Sequence, residues 1–243
     1  MTALATRLDA RRGALAKALL RVGKLSPLAV SDLELMASLL GPVAIAVPGS
    51  DLVDAAGRAQ RPGLIVSGWA CRQRLLPDGR RQIFDLLMPG DFVGLNRSKP
   101  LDAAWTVCLT RVELADADRL QTYVMGAAPE HSAPRQVFEI LGSLEENRLL
   151  DHVVRLGRQT AYERVAHLCV ELHRRAQAVG DAESRRFPLP LTQEILADTV
   201  GLSVVHVNRV LQQLRRERLI DWRGGVMTLL DPDHLAQICD FGS

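Results

Sequence analysis

The 243-residue sequence predicts an α+β chain with a β-rich N-terminal part, a long central helix and a compact helical C-terminal part ending in a hairpin. Three observations carry this. From Val43 to about Leu120 turn signals crowd together (Pro48-Gly49, Gly57, Pro62-Gly63, Gly68, Pro77-Asp78-Gly79, Pro89-Gly90-Asp91), the pattern of short strands in a roll or barrel. After Pro134 such signals thin out, and Val137, Ile140, Leu141, Leu144, Leu149, Leu150, Val153 and Val154 keep helical spacing to about Gly157. Beyond Thr160, helix starts recur and a short apolar pair of segments flanks Arg223-Gly224-Gly225.

Composition sets the class. With 47% hydrophobic and 24% charged residues the chain can bury a real core. A net charge of +2 is too mild to argue for nucleic acid, because partners respond to local patches and not to totals. Cys71, Cys108, Cys169 and Cys239 lie far apart, without CxxC or zinc spacing, and read as free thiols in a reducing compartment. The N-terminus mixes Arg7, Asp9, Arg11, Arg12 and Lys17 with leucines, unlike a signal peptide. No stretch approaches the ~18 apolar residues of a membrane span. The expected location is the cytoplasm, with no membrane partner.

The elements follow in order. Residues 1–25 read as an amphipathic helix weakened by Gly13 and Gly23, or as a mobile arm. Ser26 as N-cap and Pro27 at the first helical position open a clearer helix, which Gly41-Pro42 stops. Trp69 to Leu76 and Arg81 to Met88 form a hairpin across Pro77-Asp78-Gly79-Arg80, where proline presets φ and glycine accepts positive φ. The apolar residues of the long helix cover more than one face, which implies a second partner such as its symmetry mate. The expected dimer contacts are Val137, Ile140, Leu141, Leu144, Arg148 and Asp151. The alternative is a single helix packed on the β-roll. Thr160-Ala161-Tyr162-Glu163 is a capping box opening a helix to about Ala178. Residues 180–190 read as a loop. Cys169 and His173, one turn apart, make an incomplete metal site and read as a buried thiol beside a surface histidine.

The strongest pattern is LTQEILADTVGLSVVHVNRVL, Leu191 to Leu211. A helix-turn-helix needs a small residue where its helices cross, here Ala197, and a glycine in the turn, here Gly201. Leu202, Val207, Val210 and Leu211 supply the apolar lock, and Ser203 can cap the second helix. Thr192, Gln193, Ser203, Val204, Val205, His206, Asn208 and Arg209 are then candidates to face DNA. Between Ser203 and Arg218 the chain carries Arg209, Arg215, Arg216 and Arg218 against Glu217 alone, a local basic patch. Leu219 to Trp222 and Val226 to Leu230 make a two-stranded wing, whose Arg223 is a candidate phosphate contact. Arg209 presents a fork suited to guanine, or else pairs with Glu194 or Asp198.

The order of roll, long helix and winged helix-turn-helix, together with LTQEILADTVGLSVVHVNRVLQQLRRERLI, resembles the Crp/Fnr family of bacterial regulators from about Leu25 onward. Gly68-Trp69-Ala70-Cys71, Leu76-Pro77-Asp78-Gly79-Arg80-Arg81-Gln82-Ile83 and Pro89-Gly90-Asp91-Phe92-Val93-Gly94 resemble its sensor domain. The resemblance implies a cyclic-nucleotide-binding-like β-roll within residues 1–133, a dimerisation helix at 134–158 and a DNA-binding domain at 159–243. It also implies a homodimer on a palindromic operator in double-stranded DNA, with RNA polymerase as a further partner.

The departures matter as much. Where nucleotide-binding members carry a ribose-binding glutamate this chain has Leu95, and where they carry an arginine-serine pair it has Asp102-Ala103. Arg97-Ser98 matches that pair in letters but falls several residues early. Leucine cannot accept a hydroxyl and aspartate repels a phosphate, so cyclic nucleotides are not expected. No cysteine precedes Cys71, which argues against an iron-sulfur cluster; haem stays open. Val204 and Val205 stand where the best-known members have arginine and glutamate, and can pack against thymine methyls. No nucleophile elbow, phosphate loop or paired carboxylates point to an enzyme. The alternative reading is a ligand- or partner-binding sensor whose winged helix serves protein contacts.

Overall fold

The computed structural model describes residues 13, 15, 18, 19, 22, 28–52, 62–94, 105–127, 129, 132–178, 180 and 185–240. Ser26, Pro27, Leu95, Arg97, Ser98, Asp102 and Ala103, and most of residues 1–25, lie outside them. The chain divides into two compact units, Met1–Arg72 with Leu86–Glu146, and Gln73–Asp85 with Asn147–Ser243. Among the described residues no helix is long and apolar enough to cross a membrane.

In the first unit, helix α1 spans Val30–Leu39. It starts where the Asp32 carboxylate accepts the Ala29 N–H at 3.0 Å, so an acid inside the first turn satisfies an otherwise unpaired amide. It ends as predicted before Gly41, whose N–H donates to the Asp116 carbonyl at 2.7 Å. Strands β1 (Val43–Ala46), β2 (Gly63–Ser67), β3 (Ala70–Leu75), β4 (Arg81–Leu87), β5 (Phe92–Val93), β6 (Trp105–Cys108) and β7 (Val112–Asp116) follow along the chain, the hairpin residues 73–85 of β3 and β4 counting with the second unit. They form a sheet in the order β1-β7-β2-β5 and another in the order β4-β3-β6.

Two of the turn motifs have physical reasons. Gly68 has φ +86°, and a Cβ there would lie 2.1 Å from the Arg111 carbonyl oxygen, so the neighbouring backbone admits only glycine. In Pro89-Gly90-Asp91 the buried Asp91 carboxylate accepts the Met88 N–H at 2.8 Å, closing the turn into β5. Helix α2 (Asp118–Thr122) runs on through a π-turn, Tyr123–Ala127, to the long helix α3, Ala133–Arg158. The core gathers Leu64, Val66, Phe92, Ala115, Leu120 and Val124 with Val137 and Phe138 of α3. Val137 is fully buried there. It therefore serves the core of its own unit, a correction to its place among the expected dimer contacts.

In the second unit the capping box forms as expected, Thr160 N–H donating to Glu163 at 2.7 Å, and opens α4, Ala161–Ala178. Strands β8 (Arg186–Pro188), β9 (Ile220–Arg223) and β10 (Val226–Leu229) flank helices α5 (Gln193–Val200) and α6 (Val204–Arg216), and α7 (Pro232–Ile238) closes the chain. The expected loop at 180–190 thus contains a strand: β8 pairs with β10, Phe187 opposite Met227. Phe187 is buried and its ring centre lies 5.5 Å from that of His173. His173 is itself buried, not on the surface as its neighbours in sequence suggested. Helix α7 was not anticipated, although Asp231 caps it and Pro232 takes its first position.

Candidate nucleic-acid interface

The helix-turn-helix is built from local requirements. Thr192 caps α5, its hydroxyl accepting the Ile195 N–H at 3.2 Å. Ala197 is buried at the crossing. The turn glycine, Gly201, has φ +64°, and a Cβ there would stand 2.9 Å from a methyl of Leu156. Ser203 caps α6 through the His206 N–H at 3.2 Å. Val207, Val210, Leu211 and Leu214 are buried, an i, i+3, i+4, i+7 stripe that pins one face inward. The opposite face is thereby set: Val204, Val205, His206 and Arg209 are exposed.

The predicted DNA-facing residues divide into two groups. Asn208 is half-buried, its amide N–H₂ donating to Gln193 Oε1 at 2.9 Å while its oxygen accepts from Gln212 Nε2 at 2.9 Å. Gln193 and Asn208 thus tie α5 to α6, a role that sequence did not suggest. Thr192 and Ser203 are caps first. Val204, Val205, His206 and Arg209 remain pointed at solvent. Arg209 forms no ion pair with Glu194 or Asp198 among the described residues. Asp198 instead accepts from Arg81. The wing turns at Gly224-Gly225, with the Arg223 side chain 85% exposed and 3.0 Å from Asp221.

Behind this surface stands a polar frame. Arg164 donates to the carbonyls of Gln159, Leu156 and Val200 at 2.9, 2.8 and 3.2 Å, so one cation satisfies the ends of both α3 and α5. Gln82 Nε2 adds bonds to the carbonyls of Asp198 and Thr199 at 2.8 and 3.3 Å. Arg155, with a side chain 2% exposed, pairs with Glu171, which also accepts from Arg175 at 3.2 Å. Burial pushes the Glu171 carboxyl up, but the guanidinium groups of Arg155 and Arg175 outweigh it and hold it below the usual value. His152 and His167 are pushed down to about 4 by burial, with the Arg155 charge adding to it. No sequence periodicity marked these groups, because a buried ion cluster leaves no pattern along a helix.

The candidate dimer residues are placed unevenly. Ile140, Leu141 and Leu144 are half-buried. Arg148 lies 3.6 Å from Asp85 of its own chain, and Asp151 is exposed. The apolar surface that α3 leaves open is further along, at Leu149, Leu150, Val153 and Val154, which are 37%, 57%, 67% and 54% exposed.

Comparison with known proteins agrees with this geometry. Residues 163–238 match the Crp-like helix-turn-helix domain. The chain is 35% identical over 163 residues to the nitrogen fixation regulation protein FixK of Bradyrhizobium diazoefficiens, covering 65% of each. It is 34% identical over 165 residues to the transcriptional activator FnrL of Cereibacter sphaeroides, covering 66% of this chain and 64% of that one. These matches thus span just under two thirds of each relative. The solved structure of FixK2 from Bradyrhizobium japonicum superposes with a TM-score of 0.70 at 24% identity, over 82% of this chain and 98% of that one, and so shares the fold. With a β-rich unit, a long helix and a Crp-like helix-turn-helix domain in sequence, the chain is similar to regulators of the Crp/Fnr type, and residues 163–238 carry the Crp-like helix-turn-helix domain itself.

Proposed function

We propose that this protein is a cytoplasmic, homodimeric transcription regulator that binds a palindromic site in double-stranded DNA and acts with RNA polymerase; it is not an enzyme. The observation that carries the reading is the outward N-terminal half of α6, capped by Ser203 and bearing Val204, Val205, His206 and Arg209. Helices of this kind meet base edges in the major groove, while the wing meets phosphates. The names of FixK and FnrL support regulation of transcription.

The exposed apolar run Leu149, Leu150, Val153 and Val154 supports pairing of α3 with a second copy. Cyclic AMP and cyclic GMP are not its signals, on the strength of Leu95 and Asp102 in the sequence, and no iron-sulfur cluster is required.

Selection of genomic DNA fragments by the purified protein without added ligand tests the reading. A palindromic consensus whose binding weakens with salt, as counterion release demands, is expected. Failure to bind duplex DNA with any salt dependence would leave the winged helix to protein contacts. Leu150→Glu should yield monomers in sedimentation together with a loss of operator affinity.

A further inference from the structure

Resting on the DNA-binding reading, we propose that Val205 recognises the C5 methyl group of one pyrimidine in each half-site, so that this position accepts thymine or 5-methylcytosine and disfavours uracil or unmethylated cytosine. Val205 is 70% exposed, against 43% for Val204. It stands one helical turn before Arg209, and residues four apart on a helix share a face. Gln212 and Arg216, both exposed, continue that face. Its direction is not adjustable, because Val207, Val210, Leu211 and Leu214 hold the other side in the core.

Of the polar side chains nearby, His206 is exposed and Asn208 is engaged. Both ends of the Asn208 amide are bonded, to Gln193 and to Gln212, so Asn208 positions the helix, and the residue one turn before Arg209 on its own face, Val205, is apolar. A β-branched residue gains nothing in helix propensity there and adds nothing to the core. Its isopropyl group neither donates nor accepts a hydrogen bond. Among the features displayed in the major groove only the thymine methyl is apolar, and 5-methylcytosine carries the same methyl at the same ring atom. An apolar side chain beside a guanine-reading arginine is therefore complementary to a methylated pyrimidine next to guanine.

The experiment uses the full chain and an operator obtained by selection from random duplexes. Each thymine of the half-sites is replaced singly by deoxyuridine, and cytosine is compared with 5-methylcytosine at the same positions, with titration by fluorescence anisotropy at fixed salt. One thymine per half-site should lose about three- to fivefold in affinity without its methyl, and 5-methylcytosine there should recover a similar factor over cytosine. In Val205→Ala, whose circular dichroism should match wild type, both differences should vanish; in Val204→Ala they should persist. Half-sites without a sensitive thymine, or an undiminished methyl effect in Val205→Ala, would overturn this inference while leaving DNA binding intact. Absence of salt-dependent duplex binding would overturn both readings.

Discussion

Arginine does opposite work on the two sides of the helix-turn-helix. Behind it, Arg155 is 2% exposed and faces Glu171 and His167 in a setting where water is scarce. In front, Arg223 is 85% exposed and its contact with Asp221 is screened by solvent. A buried pair is costly to break because the surviving charge has no water to turn to, whereas an exposed cation is free to exchange one weak partner for a phosphate. Changes behind the turn should therefore act on folding, and changes in front on DNA alone.

The largest expected effect comes from the inner side. Glu171→Gln removes a carboxylate that serves both Arg155 and Arg175, and should cost about 3 kcal/mol in urea denaturation. A loss below about 1 kcal/mol would mean that water reaches these guanidiniums, and the contrast with the wing would fail. On the outer side, Arg209→Ala should cost about 1–3 kcal/mol on the selected operator and relax discrimination at one base pair in each half-site. Its melting temperature should stay that of wild type. Equal losses on every operator variant would make Arg209 a positioning residue.

Acid separates the two sides in another way. The folded-state values of His152 and His167 lie near 4, below the 6.5 of a free imidazole, so the unfolded chain binds the extra protons. Stability is then full above about pH 6.5 and falls as pH drops toward 4, by on the order of 2 kcal/mol for each ring at pH 5. A denaturation midpoint unchanged between pH 7 and pH 5 would show that both rings are hydrated. The smallest effect is expected at the wing. Arg223→Ala should reduce the salt slope of DNA binding by about one unit on all sequences alike; an unchanged slope would place the side chain with Asp221 in the complex as well.

What could be read from the sequence was what neighbours along the chain decide. Ser203, Gly201, Ala197 and Thr160 act within a turn of themselves, through caps, a left-handed φ and a close crossing, and each stands as its residue type foretold. The Pro77-Asp78-Gly79 hairpin is of the same kind, Asp78 Oδ1 accepting the Arg80 N–H at 3.1 Å. The α3 helix was legible in extent but not in allegiance: its periodicity announced too many apolar positions without saying that Val137 goes to the core and Leu150 to solvent. Strand β8 escaped notice because three residues ending in a proline carry no alternation to count.

The sequence by its own patterns carried the main run of β-rich part, long helix and helix-turn-helix, the register of that motif and the resemblance to the Crp/Fnr type, since caps, turns and apolar spacing are short-range constraints written in consecutive residues. Tertiary structure alone decided that Arg81 and Gln82 of the hairpin bind Asp198 and Thr199, that Arg164 ties two helix ends together, and that Asn208 is engaged while Val205 is free. Such choices depend on which donor comes to lie within about 3 Å of which acceptor, across separations of up to 117 residues along the chain, and only the packed core sets those distances.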